Sequence, residues 1–336
     1  MNTFGRLLRT SVFGTSHGEC VGVLLDGLPA GLPLSQEDFK IDLHRRQGGI
    51  QKGTTPRKEA DIPLLQSGLF RGYTTGAPLT IIFENKEARP DDYERQRSIP
   101  RPGHADWVAR QKFGGFEDYR GGGHFSARLT VGIVAAGVIA KKMLHFFDAS
   151  MQIQAAITHI AGLQDLEAGL QKAIDAKDSV GGIIECRVSG LPSGLGEPFW
   201  DSVESLIAHA MFAIPAVKGV EFGAGFRAAE MFGSQHNDQI LNRQGHTATN
   251  HAGGIVGGLT NGNDLVFRIA VKPAASTPKI QTSYNWDLDS QDTFSVKGRH
   301  DLCVALRAPV IVEAMTALVL ADLLMIVGKM PRIINS

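Results

Sequence analysis

Residues 308–328, APVIVEAMTALVLADLLMIVG, constrain the fold more than any other stretch of the chain. An apolar helix this long is either a membrane span or the buried centre of a large core. Glu313 and Asp322 decide between the two. Nine residues apart on a helix, they fall on opposite faces, and a spanning helix rarely carries two unpartnered carboxylates. Pro309 stands in the first turn and Gly328 at the end, where helices favour them. The segment therefore reads as a buried helix of a soluble protein. A chain of 336 residues has the length for one large or two ordinary domains around such a core.

A second apolar helix is expected over 128–147, alanine-rich, with Lys141, Lys142 and His145 complementing the dipole at its C-terminal end. Residues 35–46 open with Ser35 and Asp38, a variant of the capping box. Segments 165–177 and 201–213 read as amphipathic helices. Residues 21–25, 79–83, 182–188 and 265–271 read as short strands bounded by Gly, Pro or Asp. Strands and helices do not alternate regularly, so α+β is expected, as one interlocked domain over 1–336 without a linker. Neither G-x-G-x-x-G nor G-x-x-x-x-G-K-[ST] occurs, which disfavours a Rossmann dinucleotide site and a P-loop.

Formal charge is zero, so no global field favours nucleic acid or an anionic membrane, and any attraction for anions must be local. Cys20, Cys186 and Cys303 are odd in number and lack C-x-x-C spacing; a reduced, cytoplasmic protein without a zinc site is expected. The N-terminus has no basic-then-apolar signal pattern.

Several glycine-bounded segments gather chemistry. Gly14-Thr15-Ser16-His17-Gly18 matches the nucleophile elbow of serine hydrolases, but the next segment is apolar and β-branched, a strand rather than the required helix. Ser16 is better read as shaping a turn that presents His17. Residues 45–59 hold Arg45, Arg46, Lys52, Arg57 and Lys58 on a glycine-rich loop suited to an anion, with Arg57 and Lys58 read as solvated. In RSIPRPGHADW (97–107), Pro100 and Pro102 stiffen the loop that presents Arg97, Arg101 and His104. YRGGGHFSARLT (119–130) places three glycines, the cap Ser126 and then Arg128 before the second apolar helix. An arginine at that positive end calls for a negative ligand. His236, His246 and His251 fit no metal pattern, and Gly253, Gly254, Gly257, Gly258 and Gly262 suggest close approach of the backbone to a flat or bulky partner. Lys297, Arg299, His300 and Asp301 cluster just before the last helix, where Asp301 reads either as a salt-bridge partner or as a base held by cations.

Taken in order, GTSHG, RPGHAD, DYRGGG followed by SAR, AVKGVEFGAGF, NHAGGIVGGLTNG, KPAAS and GRHD resemble the chorismate synthases over nearly the whole chain. The resemblance implies a β-α-β sandwich with mixed or antiparallel sheets. It also implies an anti-1,4-elimination of phosphate and a ring proton from 5-enolpyruvylshikimate 3-phosphate, giving chorismate and requiring reduced FMN. By position in the motifs, His17, His104 and Asp301 would be catalytic: His17 toward the flavin, His104 toward the leaving phosphate, Asp301 near flavin N5 for the ring proton. Arg46, Lys52, Arg101, Arg128 and Arg299 would hold the substrate. His124, Phe125, Ser126, Pro215, Ala216, Gly257, the loop Lys272, Pro273, Ala274, Ala275 and Ser276, and again Arg299 would hold the flavin. A homotetramer in the cytoplasm is implied, with no metal, nucleic acid or membrane. NADPH would serve only indirectly, through an external flavin reductase.

The chain departs from the family pattern at several points. Thr15 replaces a glutamate, Lys52 an arginine and Leu302 a proline, while His124, Phe125 and Leu129 replace arginine, serine and glutamate. Histidine carries charge only part of the time, so an anion near residue 124 is held less firmly. Phe125 offers a ring to a flavin or substrate instead. Two rival readings remain: a serine hydrolase using Ser16, and a flavin- or anion-binding homologue without catalysis.

Overall fold

The computed structural model describes residues 2–49, 51–55, 59–86, 97–296 and 300–335. Two antiparallel sheets enclose a layer of helices. The first sheet is ordered Thr3–Phe4, Arg9–Gly14, Cys20–Asp26, Leu79–Glu84, Leu64–Leu65. The second is ordered Val217–Phe222, Leu265–Val271, Gly182–Ser189, Gln152–Ile160. The α-helices are α1 (Lys40–Arg46), α2 (Asp106–Phe113), α3 (Thr130–Phe147), α4 (Leu166–Ala176), α5 (Val203–Phe212), α6 (Gly233–His236) and α7 (Pro309–Ile326). This is the expected α+β sandwich, and all four expected strands are present. The strands Arg9–Gly14 and Gln152–Ile160 and the helix α2 add to the elements expected from sequence.

α3 packs on the first sheet and α7 on the second, with the two helices against each other. Small residues allow the approach: a β-carbon on Gly137 of α3 would stand 2.2 Å from the Ala314 β-carbon of α7. Both helices are long and apolar enough to cross a membrane, yet 78% and 83% of their apolar windows lie inside the protein, as in core helices. The carboxylates of α7 are partnered. Glu313 accepts from Arg45 Nη1 and Nη2 (2.7 Å each), Lys141 Nζ (2.8 Å) and the Ala155 N–H (3.1 Å). Asp322 accepts the N–H groups of Arg6, Leu7 and Leu8, each at 2.8 Å. Burial alone would raise the Glu313 carboxyl, but the Arg45 and Lys141 cations outweigh it and hold the group below its ordinary value.

Local signals explain the element starts. The Ser35 N–H donates to Asp38 Oδ2 (2.7 Å), closing the capping box before α1. Asp165 and Ser202 cap α4 and α5. Two expectations need correction. The helix expected from 128 starts as a 3-10 turn, Ala127–Leu129, capped by Ser126, and becomes α-helical at Thr130. Lys141 and Lys142 do not serve the dipole. Lys141 bonds Asp42 and Glu313, and Lys142 bonds Asp38, because the second half of α3 lies against α1.

Candidate functional site

The first two long strands of the N-terminal region turn at Gly14-Thr15-Ser16-His17-Gly18, joining Arg9–Gly14 to Cys20–Asp26 as an antiparallel hairpin. No helix follows Ser16, so the strand–turn–helix geometry of a nucleophile elbow is missing. Ser16 Oγ is buried within 2.9 Å of His17 Nδ1, 3.1 Å of the Gly121 carbonyl and 3.2 Å of the Arg120 carbonyl. It ties the turn to the glycine loop and orients the imidazole. Ser16 shapes; His17 is presented.

The glycine loop meets this turn from the other side. Gly121, Gly122 and Gly123 all have left-handed φ (58°, 80° and 50°), which glycine adopts without steric cost. A β-carbon on Gly122 would stand 3.0 Å from Cε1 and 3.2 Å from Nε2 of His104. Gly121 and Gly122 leave room for the imidazoles of His17 and His104, while Gly123 packs against the Asp118 carbonyl.

His104 and Arg101 share one carboxylate. Asp106 Oδ1 lies 2.6 Å from His104 Nδ1 and 2.8 Å from Arg101 Nη2, and its Oδ2 accepts from Arg101 Nε at 2.8 Å. Burial would raise the Asp106 carboxyl; the hydrogen bonds from Arg101 and His104 hold it well below the usual carboxylate range. An ionised Asp106 accepts the proton of Nδ1, leaving Nε2 for chemistry at the glycine loop. The Arg101 Nη1 donates to Ser276 Oγ (3.1 Å), and Lys272 Nζ donates to the Gly103 carbonyl (2.8 Å). These bonds dock the 272–276 loop on the proline-stiffened segment.

Arg46, at the end of α1, and Arg128, before α3, meet at Asp61. Arg46 Nη1 donates to Asp61 Oδ2 (2.9 Å), and Arg128 Nη1 bonds Asp61 Oδ1. The Arg46 guanidinium is buried; desolvation and its cationic neighbours Arg128 and Arg307 pull it down to about 10 against the opposing pull of Asp61. The sequence calls for a negative ligand to compensate Arg128 at the helix start; the charge that does so here is Asp61, a side chain of the same protein. Asp301 accepts the Thr55 N–H (2.8 Å) at Oδ1 and Arg307 Nη2 (2.5 Å) at Oδ2.

These groups line one cavity of about 740 Å³, a size that encloses small organic ligands. His17, Arg46, Asp61, Arg101, His104, His124, Phe125, Ser126, Arg128, Pro215, Ala216, Lys272, Pro273, Ala274, Ala275, Ser276, Asp301 and Arg307 all border it. Ile133, Met315 and Leu318 give it an apolar wall. His124 donates from Nδ1 to the Gly14 carbonyl (3.0 Å) and lies 3.1 Å from Asn2 Oδ1 through Nε2. Phe125 is partly exposed beside Phe113.

Two expected site residues are not among those lining the cavity of this chain. Lys52 reaches Gln171 Oε1 of α4 (3.4 Å), because its loop runs beside that helix. Gly257 sits in the tight turn between Ile255–Val256 and Leu259–Thr260, with no atom within 4 Å of where its β-carbon would be. Its glycine neighbours serve internal packing rather than a flat ligand: β-carbons on Gly253, Gly254 and Gly258 would strike Gly223 N, Asp264 O and Glu197 O at 2.5, 2.4 and 2.8 Å. Arg57, Lys58, Lys297 and Arg299 lie outside the described residues. The His236 and His251 rings are 6.0 Å apart, and His246 bonds Asn242; no group of three or more metal-ligating side chains occurs among the described residues.

Sequence reasoning misses Asp61, Asp106, Thr55 and Arg307. Asp106 closes the RPGHAD motif, and Arg307 stands six residues beyond its partner Asp301, so both were within reach of the motifs. Asp61 carries no spacing signal, since its partners lie 15 and 67 residues away.

The family model described as chorismate synthase matches residues 8–325. A chorismate synthase of Chitinophaga pinensis is 62% identical over 336 residues, 100% of each chain. One of Thermococcus gammatolerans is 43% identical, covering 95% of this chain and 96% of its own. Among solved structures, a crystal structure of chorismate synthase superposes with a TM-score of 0.71 at 27% identity, covering 96% of this chain and 93% of that one. A cavity bordered by His17 of GTSHG, Arg101 and His104 of RPGHAD and Gly121 of the glycine triplet, in a chain matched this fully in sequence and fold, leaves one conclusion: the chain belongs to the chorismate synthase family.

Proposed function

We propose that the protein is a chorismate synthase, a lyase of aromatic biosynthesis that converts 5-enolpyruvylshikimate 3-phosphate to chorismate and inorganic phosphate. The observation that carries this reading is the convergence of His17, His104, Asp301 and three buried arginines on one cavity. The substrate bears two carboxylates and a phosphate, so stripping its water demands fixed cations. Arg46, Arg101 and Arg128 supply them, already desolvated and held by protein partners.

The elimination is redox-neutral: one C–O bond breaks toward phosphate, and one ring proton leaves from the opposite face. His104 donates a proton toward the departing phosphate, its other nitrogen anchored on Asp106. Asp301 receives the ring proton, oriented by the Thr55 N–H and Arg307. His17 faces the cavity from the hairpin turn, where it serves as proton donor toward a bound reduced flavin.

Reduced FMN fits the residues present. Gly121, which brings no side chain to the cavity, and the aromatic Phe125 suit a flat ring, and Ala216 at the cavity wall holds a left-handed φ of 72°. Phe125, Ser126, Pro215, Ala216 and the 272–276 loop would hold it. When bound, its chemistry is a transient supply of electron density to the allylic system. The reducing equivalents would come from an external flavin reductase, with NADPH as indirect source. We place the protein in the cytoplasm as a homotetramer, one domain per chain; the exposed Phe199, Trp200, Phe226 and Phe232 support self-association.

Anaerobic turnover with chemically reduced FMN tests the reading. Phosphate is released from the substrate only when reduced FMN is present. Release without any flavin contradicts the mechanism, and tight flavin binding without release makes the chain a binding homologue.

A further inference from the structure

Asp61 is out of place in a site that must attract a triply acidic ligand. Its side chain is 1% exposed, yet it borders the cavity and contacts the two guanidiniums on which the ligand's charge would rest. Its backbone adopts a left-handed φ of 47°, a conformation that costs a non-glycine residue energy and persists where surrounding structure imposes it.

Asp61 is not needed merely to hold the arginines still. Arg46 also donates from Nε to Thr130 Oγ1 (3.0 Å) and from Nη2 to the Ala127 and Arg128 carbonyls (3.2 Å each). Arg128 also donates from Nε to Asn85 Oδ1 (3.0 Å) and from Nη2 to the Glu84 carbonyl (3.3 Å). All of those partners are neutral and fix the two planes. What Asp61 alone adds is a negative charge between two buried cations. Counted by donors, Arg46 keeps one N–H and Arg128 two that these bonds do not use.

We propose that Asp61 is an internal counter-anion that sets the affinity of the Arg46–Arg128 pair for the phosphorylated substrate and for the phosphate that leaves. With Asp61 in place the pair is balanced when empty, binds an incoming anion through its unused donors, and releases it again. Without it, two like charges face each other in a desolvated pocket and hold any anion that reaches them. This inference rests on reading the cavity as the site of a phosphorylated acid.

The probe is inorganic phosphate, followed by calorimetry and by phosphate-dependent shift of the unfolding temperature, with no turnover read. Asparagine keeps the volume and one acceptor, so Asp61→Asn binds phosphate at least about tenfold tighter than the unaltered protein, with a correspondingly larger thermal shift. Asp61→Glu keeps the charge and stays within about twofold of the unaltered protein. Equal or weaker phosphate binding by Asp61→Asn overturns the assignment, as does equal tightening by Asp61→Glu. Should Asp61→Asn fail to fold, refolding yield is compared in phosphate and in chloride of equal ionic strength: recovery in phosphate alone supports the role, and no recovery overturns it. If the unaltered protein binds no phosphate, the reading of the cavity falls with it; if it does bind, only the Asp61 assignment is at stake.

Discussion

Gly121 lies with its α-carbon against the imidazole of His17: a β-carbon there would stand 2.2 Å from Cε1 and 2.3 Å from Nδ1. With φ at 58°, the residue also occupies a region that suits glycine. Gly121→Ala therefore displaces His17 or reshapes the loop. We expect kcat to fall about 100-fold, the loss that a misplacement of roughly 1 Å brings. Steady-state kinetics alongside a melting curve separates this from a global loss of stability, which a kcat loss explained by unfolded protein alone would indicate.

Ser16 and His17 make opposite predictions. Ser16→Ala removes one contact to Nδ1 and two to carbonyls, and leaves activity within about tenfold of the original. His17→Ala lowers turnover by about 100-fold or more. A dead Ser16→Ala protein that still folds would revive the serine-nucleophile reading.

For His104, the anchored Nδ1 and the Nε2 at the glycine loop point to proton donation rather than to flavin binding. His104→Ala lowers kcat by about 10²–10⁴-fold while reduced-FMN affinity stays nearly unchanged. Asp106→Asn acts in the same direction, since it frees the imidazole and Arg101 together. Equal losses in turnover and flavin affinity would count against the role.

Glu313 ties stability to pH. Its folded-state pKa lies below the ordinary value, so its contribution is fully present above pH about 4.3 and is lost as pH falls through the lower folded value. Glu313→Gln removes the buried charge that Arg45 and Lys141 share with Asp42 and, because both cations are partly exposed and keep Asp42, costs about 1–3 kcal/mol at neutral pH. Chemical denaturation at pH 7 and below pH 4 checks both parts: the gap between the two proteins narrows on acidification. A gap that is constant with pH contradicts the assignment.

Much of the scaffold is legible because it is locally encoded. Leu265–Val271 reads as a strand with its observed limits, since β-branched and apolar residues end there at Lys272 and Pro273. The opposed carboxylates of 308–328 point to a buried helix, and α7 is buried with both carboxylates bonded inside the protein. Gln152–Ile160 escapes a reading of sequence because its burial comes from pairing with Gly182–Ser189, a partner that nothing in the nine residues themselves announces. Position along α3 assigns Lys141 and Lys142 to the helix dipole, whereas α1, the 3-10 turn before it and α7 supply the carboxylates they bond.

By itself, the sequence determined the turns, the caps and the inventory of chemical groups. Glycine at 121–123 permits a backbone that other residues resist, Ser126 caps the chain entering α3, and the ordered motifs name the family. Which charges neutralise one another was decided only by the tertiary structure. Electrostatic pairing depends on distance in space and on burial, so Asp61 meets Arg46 and Arg128 through the packing of α1 against α3, not through any spacing along the chain. Lys52, one loop away from Arg46, went to α4 instead.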